Sequence, residues 1–155
     1  MTTPVLRATS ELVATAWLKT VVGDIVATTL PKLGSDGVLS WVDTGFVTLV
    51  NVGGSPNIYV PLRDPAVGVT CWAANPNSQK PPWGKASNIA ETIVAATLDH
   101  PNVPKRALSL PGDYPDVQVK SAYVTGEPRR IPDDPSSYAR YDIPGLVIAW
   151  TEAPS

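Results

Sequence analysis

The side chains that could do chemistry are few and scattered. His100 is the only histidine and stands in Asp99-His100-Pro101. Nucleophilic catalysis needs a base within reach of a nucleophile and a third group that orients it. The sequence offers no Gly-x-Ser-x-Gly elbow, no phosphate-binding loop and no Gly-x-Gly-x-x-Gly turn. His100 therefore reads as a cation-capable side chain after a helix C-terminus. The single Cys71 excludes an intramolecular disulfide and a cysteine zinc knuckle, and its apolar strand context reads as buried and structural. Asp113, Asp116 and the pair Asp133-Asp134 lie in proline-rich loops without a histidine or further carboxylate at ligand spacing, so they read as solvated turns. No catalytic, cofactor or metal residue is assigned, and the expectation is a protein that is not an enzyme.

Binding chemistry has better candidates. Arg63-Asp64-Pro65 is a turn into a strand, and an arginine there could pair with a carboxylate across a subunit boundary. Arg129-Arg130 and Lys105-Arg106 could form a basic loop surface; the alternatives are a solubilising loop tip or contact with an acidic partner or passing nucleic acid. Of the five tryptophans, Trp17 fits a helix core stripe, and Trp72 and Trp150 sit in strands. Trp41 and Trp83 fall in loops, which makes them interface candidates, since Trp is enriched at interfaces.

The 155 residues suit one domain, residues 1–155, large enough to bury a core without staples. Lys and Arg number 12 against 14 Asp and Glu, for a net charge of −2, so there is no overall basic surface to hold nucleic acid. No apolar run reaches the roughly 18 residues of a membrane helix. The N-terminus lacks a basic region followed by an apolar one, so the expected address is a reducing cytoplasm. Proline is unusually frequent, at 17 residues, and concentrates in loops near 74–84, 101–116 and 127–137. Loops of that length are rarely idle turns.

The elements that must position these residues follow from periodicity. Leu12, Val13, Ala16, Trp17 and Val21 predict a helix over Ser10–Val22, capped by Thr9 or Ser10 and closed by Gly23. A short β-branched run at 25–30 ends at Pro31. Alternation over 46–52 predicts a strand with Phe46, Thr48, Val50 and Val52 on one face, and 58–62 is its expected hairpin partner. Val67, Val69, Cys71 and Ala73 mark a strand over 66–73. Ala86, Ile89, Ala90, Ile93, Val94, Thr97 and Leu98 mark a helix over 85–98. Val117–Val124 alternates with Val117, Val119, Ser121 and Tyr123 on one face. Residues 138–142 and 146–151 read as one last strand, bent at Pro144-Gly145. The predicted class is α+β: two layers, with a mostly antiparallel sheet and two helices on one face.

One ordered run carries a resemblance. An amphipathic helix precedes Phe46-Val47-Thr48-Leu49-Val50-Asn51-Val52-Gly53-Gly54, followed by Arg63-Asp64-Pro65, Val67-Gly68-Val69-Thr70-Cys71-Trp72-Ala73 and the alanine-rich helix. This order resembles the tail terminator proteins of long-tailed, siphovirus-type bacteriophages, above all those infecting actinobacteria. It covers about residues 5–100 and extends to about residue 151. The segment 75–83 and the stretch after Pro101 are longer than the family's compact plan. The resemblance implies a virion protein at the head-proximal end of the tail, assembled in the host bacterial cytoplasm. Its partners would be its own copies in a ring of six, the tail tube protein and the head-to-tail connector protein. DNA would pass through the channel without specific binding, and no membrane is involved. The ring would stop tube polymerisation and present a docking face. Under this reading Arg63, Asp64, Trp41, Trp83, Arg129 and Arg130 are the interface candidates.

Two other readings stand beside it. A neighbouring neck protein, a head-to-tail stopper or adaptor, also forms rings. A small α+β enzyme or ligand-binding domain would place a pocket between sheet and helices, with His100 or Asp99 at its rim.

Overall fold

The computed structural model describes residues 7–32, 40–54, 56, 59–75, 81–99, 101–102, 106–132 and 138–152. His100, Lys105, Asp133 and Asp134 lie outside them. The class is α+β, with two helices and a seven-stranded mixed sheet. Helix α1 spans Ser10–Val22 as its periodicity predicts. Thr9 is the N-cap: its hydroxyl accepts from the Leu12 N–H at 3.1 Å. Gly23 closes the helix with φ 84°, a left-handed value open to glycine, and its N–H reaches the Lys19 carbonyl.

Strand β1 (Val26–Ala27) runs parallel to β2 (Phe46–Gly54), and β2 pairs antiparallel with β3 (Pro65–Ala73). Helix α2 spans Trp83–Leu98. Strands β4 (Ala107–Leu108), β5 (Val117–Val124), β6 (Arg129–Arg130) and β7 (Ala139–Glu152) follow. The order is β1-β2-β3-β7-β5-β4, with β6 also on β7. All pairs but β1–β2 are antiparallel. β1 and β4 stand at opposite ends of this order, yet α1 touches both. The sheet therefore curls around α1 instead of lying flat under two helices.

Three bulges decide which side chains reach the core. Val52 is the extra residue on β2 opposite β3. Pro144 and Gly145 bulge β7, as the sequence predicts: Val67 faces Leu146 and Val69 faces Ile143. Lys120 is the extra residue on β5. It corrects the expected alternation, because a one-residue insertion swaps the faces. Val117 and Val119 are buried as expected, but beyond the bulge Ala122 is buried and Tyr123 is exposed.

The main core joins Val13, Trp17 and Leu18 of α1, Ala90 and Ile93 of α2, and the inward residues of β2, β3, β5 and β7. Leu98, expected on the apolar stripe of α2, is instead exposed. A second cluster holds Trp41, Phe46 and Ala74, with Trp72 and Tyr138 packed against it. Phe46 and Trp72 lie side by side across β2 and β3, one residue out of phase with the core-facing Val47 and Cys71. This cluster therefore covers one end of the sheet face that points away from the main core.

Three other expectations are corrected. Residues 59–62 form no strand, because β2 pairs directly with β3 and Gly54 faces Pro65. The proline-rich stretch after Pro101 contributes strand β4 and two buried leucines, Leu108 and Leu110. The stretch after Glu127 contributes β6. Two-residue strands escape a periodicity argument, since they have no period.

Candidate functional site

The sequence candidates separate to the two ends of the sheet. At one end, β2 gives way to the chain that leads into β3. Gly54 has φ 83°, and a Cβ there would collide with the Asp64 carbonyl oxygen and Pro65 Cα, so only glycine fits. Just before β3, Arg63 forms a two-hydrogen-bond bridge with Trp150: each N–H donates to the other's carbonyl at 2.8 Å. The Thr151 hydroxyl donates to the Pro61 carbonyl at 2.8 Å.

Arg63 is thus spoken for within its own chain. Its guanidinium carbon lies 5.6 Å from the centre of the Trp150 ring, and the indole N–H donates to the Ser10 hydroxyl at 3.2 Å. The neighbouring Asp64 is exposed. Exposed apolar side chains precede it on β2 and in the chain that leads into β3: Val50 at 55%, Val52 at 58%, Tyr59 at 88% and Val60 at 50%. Val50 and Val52 contact the position where a Gly68 Cβ would sit, so the pair flanks bare backbone on the outer face of the hairpin.

At the other end, the strand β6 aligns Arg129 with Asp142 and Arg130 with Tyr141. Both arginines are exposed. The Arg130 guanidinium lies 5.2 Å from the Trp83 ring centre, and that ring meets Tyr141 edge-on at 6.4 Å. The structure therefore brings together two sequence candidates, Trp83, which opens α2 and is not in a loop as expected, and Arg130 of β6. Next to them Arg140 grips Asp142 through two hydrogen bonds, of 3.0 and 3.2 Å, and covers Trp72 at 5.3 Å. Asp142 therefore already has an arginine partner.

Trp41 does not fit the expected surface position. It is 3% exposed, and its ring lies against Phe46 at 6.4 Å and Tyr138 at 5.2 Å. A short turn, closed by the Gly45 N–H donating to the Trp41 carbonyl, folds the indole inward. Its Nε1 donor is buried with no partner among the described residues.

Cys71 is fully buried, as expected. Burial, and then the nearby Asp142 charge, push its thiol from 9.0 up to about 12, so it is a poor nucleophile. Among the described residues no three His, Cys, Asp or Glu side chains gather as a metal site. An open groove of about 420 Å³ lies between α1 and Ser109–Leu110–Pro111 and has Lys19 as its ionisable lining residue. No helix among the described residues is long and apolar enough to cross a membrane.

The exposed Tyr59 and Val60 were not foreseen, and neither was Trp150 as the platform for Arg63. The signal for the first was Pro61, which cannot donate to a ladder and argued against a strand there. For the second there was none, because the bridge joins residues far apart in the chain.

Comparison with family models and with curated proteins returns no match.

Proposed function

We propose that this chain is a structural virion protein: a ring that caps the tail tube of a long-tailed phage, stops its polymerisation and offers a docking face to the head-side connector. The observation that carries the reading is the exposure of four apolar side chains, Val50 and Val52 on the outer face of β2 and Tyr59 and Val60 in the chain that leads into β3. Contiguous exposed apolar surface marks an interaction site, and burial against a neighbour removes it from water. The ordered sequence resemblance supplies the kind of neighbour. In this reading the helices form one layer over the inner face of the sheet, and the outer face and loop tips serve the contacts. A ring needs such contacts at two different places on each subunit.

The test is imaging of the phage particle that carries this chain, with and without it. A ring of this chain at the head-proximal end of the tube, and tubes of uncontrolled length in its absence, support the reading. Density for the chain on the head side of that position assigns it to the neck instead. Absence from the particle removes the reading altogether.

A further inference from the structure

We propose that copies of this chain join head to tail, with the Asp64 end of one sheet seated against the Arg129–Arg130 edge of the next. The inference rests on the ring reading above and names the two surfaces that would meet.

The two surfaces lie at opposite ends of one strand. Trp150, which holds Arg63, and Tyr141, which faces Arg130, are nine positions apart on β7. At about 3.3 Å per residue they stand roughly 25–30 Å apart. They are too distant to pair within a subunit. A surface that pairs with a different surface of the next copy builds a closed ring or an open filament.

Their charges are complementary. At the first end Asp64 and Asp116 are exposed. Asp116 directly precedes β5, whose first residue, Val117, faces Glu152 at the same end of β7. Of the other charged groups at that end, Arg7 pairs with Glu152 at 2.9 Å and Glu11 accepts from the Asn51 N–H at 3.3 Å, while Arg63 lies over the Trp150 ring and Arg106, bridged to Val119, is half-buried. At the second end Arg129 and Arg130 are exposed, and the nearest strand carboxylate, Asp142, is held by Arg140. Glu127, also exposed, is the acidic residue closest to that edge in sequence. Trp83 already orients the Arg130 guanidinium, which lowers the ordering cost of using it across an interface.

The second end also offers a strand edge. Among the described residues β6 has β7 on one side and no strand on the other. The exposed Val50, Val52, Tyr59 and Val60 give the first end apolar area to bury beside the charge pair. Two Arg129–Arg130 edges repel each other, whereas the exposed Asp64 attracts such an edge.

The test is charge reversal read by sedimentation of the full chain over a range of concentrations and in the presence of tail tubes. Asp64→Lys alone, and Arg129→Glu with Arg130→Glu, should each weaken self-association about tenfold or more at low salt, with unchanged circular dichroism. The chain carrying all three changes should recover most of the loss. Should a reversal unfold the chain, Asp64→Asn and Arg129→Gln make the same comparison. Reversals that leave assembly unchanged, or a triple variant no better than its weaker parent, overturn the head-to-tail pairing while leaving a ring standing. A wild-type chain that stays monomeric at every concentration, alone and on tubes, overturns both.

Discussion

Strand β5 changes phase at Lys120, and substitution can read that change directly. Ala122 is 2% exposed, whereas the next residue, Tyr123, is 51% exposed. Aspartate at 122 would place a carboxylate against the inward residues of β7 and α2. Burial raises a carboxyl pKa by about 3–5 units. At about 1.4 kcal/mol per unit this amounts to about 4–7 kcal/mol at neutral pH. A domain of this kind has a total stability of about 5–15 kcal/mol. Each kcal/mol moves the melting temperature by about 2–4 °C at this size. Ala122→Asp should therefore lower the melting temperature by at least about 10 °C or abolish folding. Tyr123→Asp gives up a half-exposed ring and should cost about 1 kcal/mol. Melts followed by circular dichroism at pH 7 and pH 5 separate the two. The buried acid holds its proton more tightly in the fold than in the unfolded chain. Its penalty is thus small below the ordinary carboxyl range and grows as pH rises, so Ala122→Asp should look better at pH 5 than at pH 7. If Ala122→Asp melts within about 2 °C of wild type and Tyr123→Asp is the damaging change, β5 has no bulge and the core assignment is wrong.

Other expectations follow from the same core. Ile93, fully buried between α2 and the sheet, should not tolerate aspartate; soluble, helical Ile93→Asp protein in circular dichroism would contradict its placement. Cys71 ionises near 9.0 in an unfolded chain but near 12 in the fold, so its contribution is complete below about pH 9 and is lost as pH rises towards 12. Wild-type melts should therefore fall across that window and Cys71→Ala melts should fall less, while native protein at pH 8 should resist thiol alkylation. Trp41→Phe removes a buried donor that has no partner among the described residues, and Trp150→Phe strips the Ser10 hydroxyl of its donor. The first should change stability by less than about 1 kcal/mol and the second should cost about 1–2 kcal/mol; denaturant midpoints in the opposite order would contradict the hydrogen-bond pattern.

Sequence periodicity located α1, β3 and the bent β7, because each is long enough to repeat its pattern. The amphipathic stripe fixes Trp17 in the core, and the alternation of Val67, Val69 and Cys71 fixes a face. β2 was harder. Apolar residues occupy both of its faces, so alternation alone could not say that Val47 and Leu49 point inward while Val50 and Val52 face outward. The Lys120 bulge left no mark in composition. The candidate site was legible in pieces. Arg129, Arg130, Asp64 and Trp83 were visible as residue types in loops, but their separation to two ends of the sheet depends on register. Trp41 shows the converse: a loop position in sequence, yet a buried side chain, because the five-residue turn from Trp41 to Gly45 folds it inward.

The most direct measurement is the mass of the native assembly formed by the purified chain on tail tube ends. The account predicts one discrete closed species, near six times the mass of a single chain and bound at the tube terminus. A chain that remains single in the presence of tubes, or that binds along their length without closing, contradicts it.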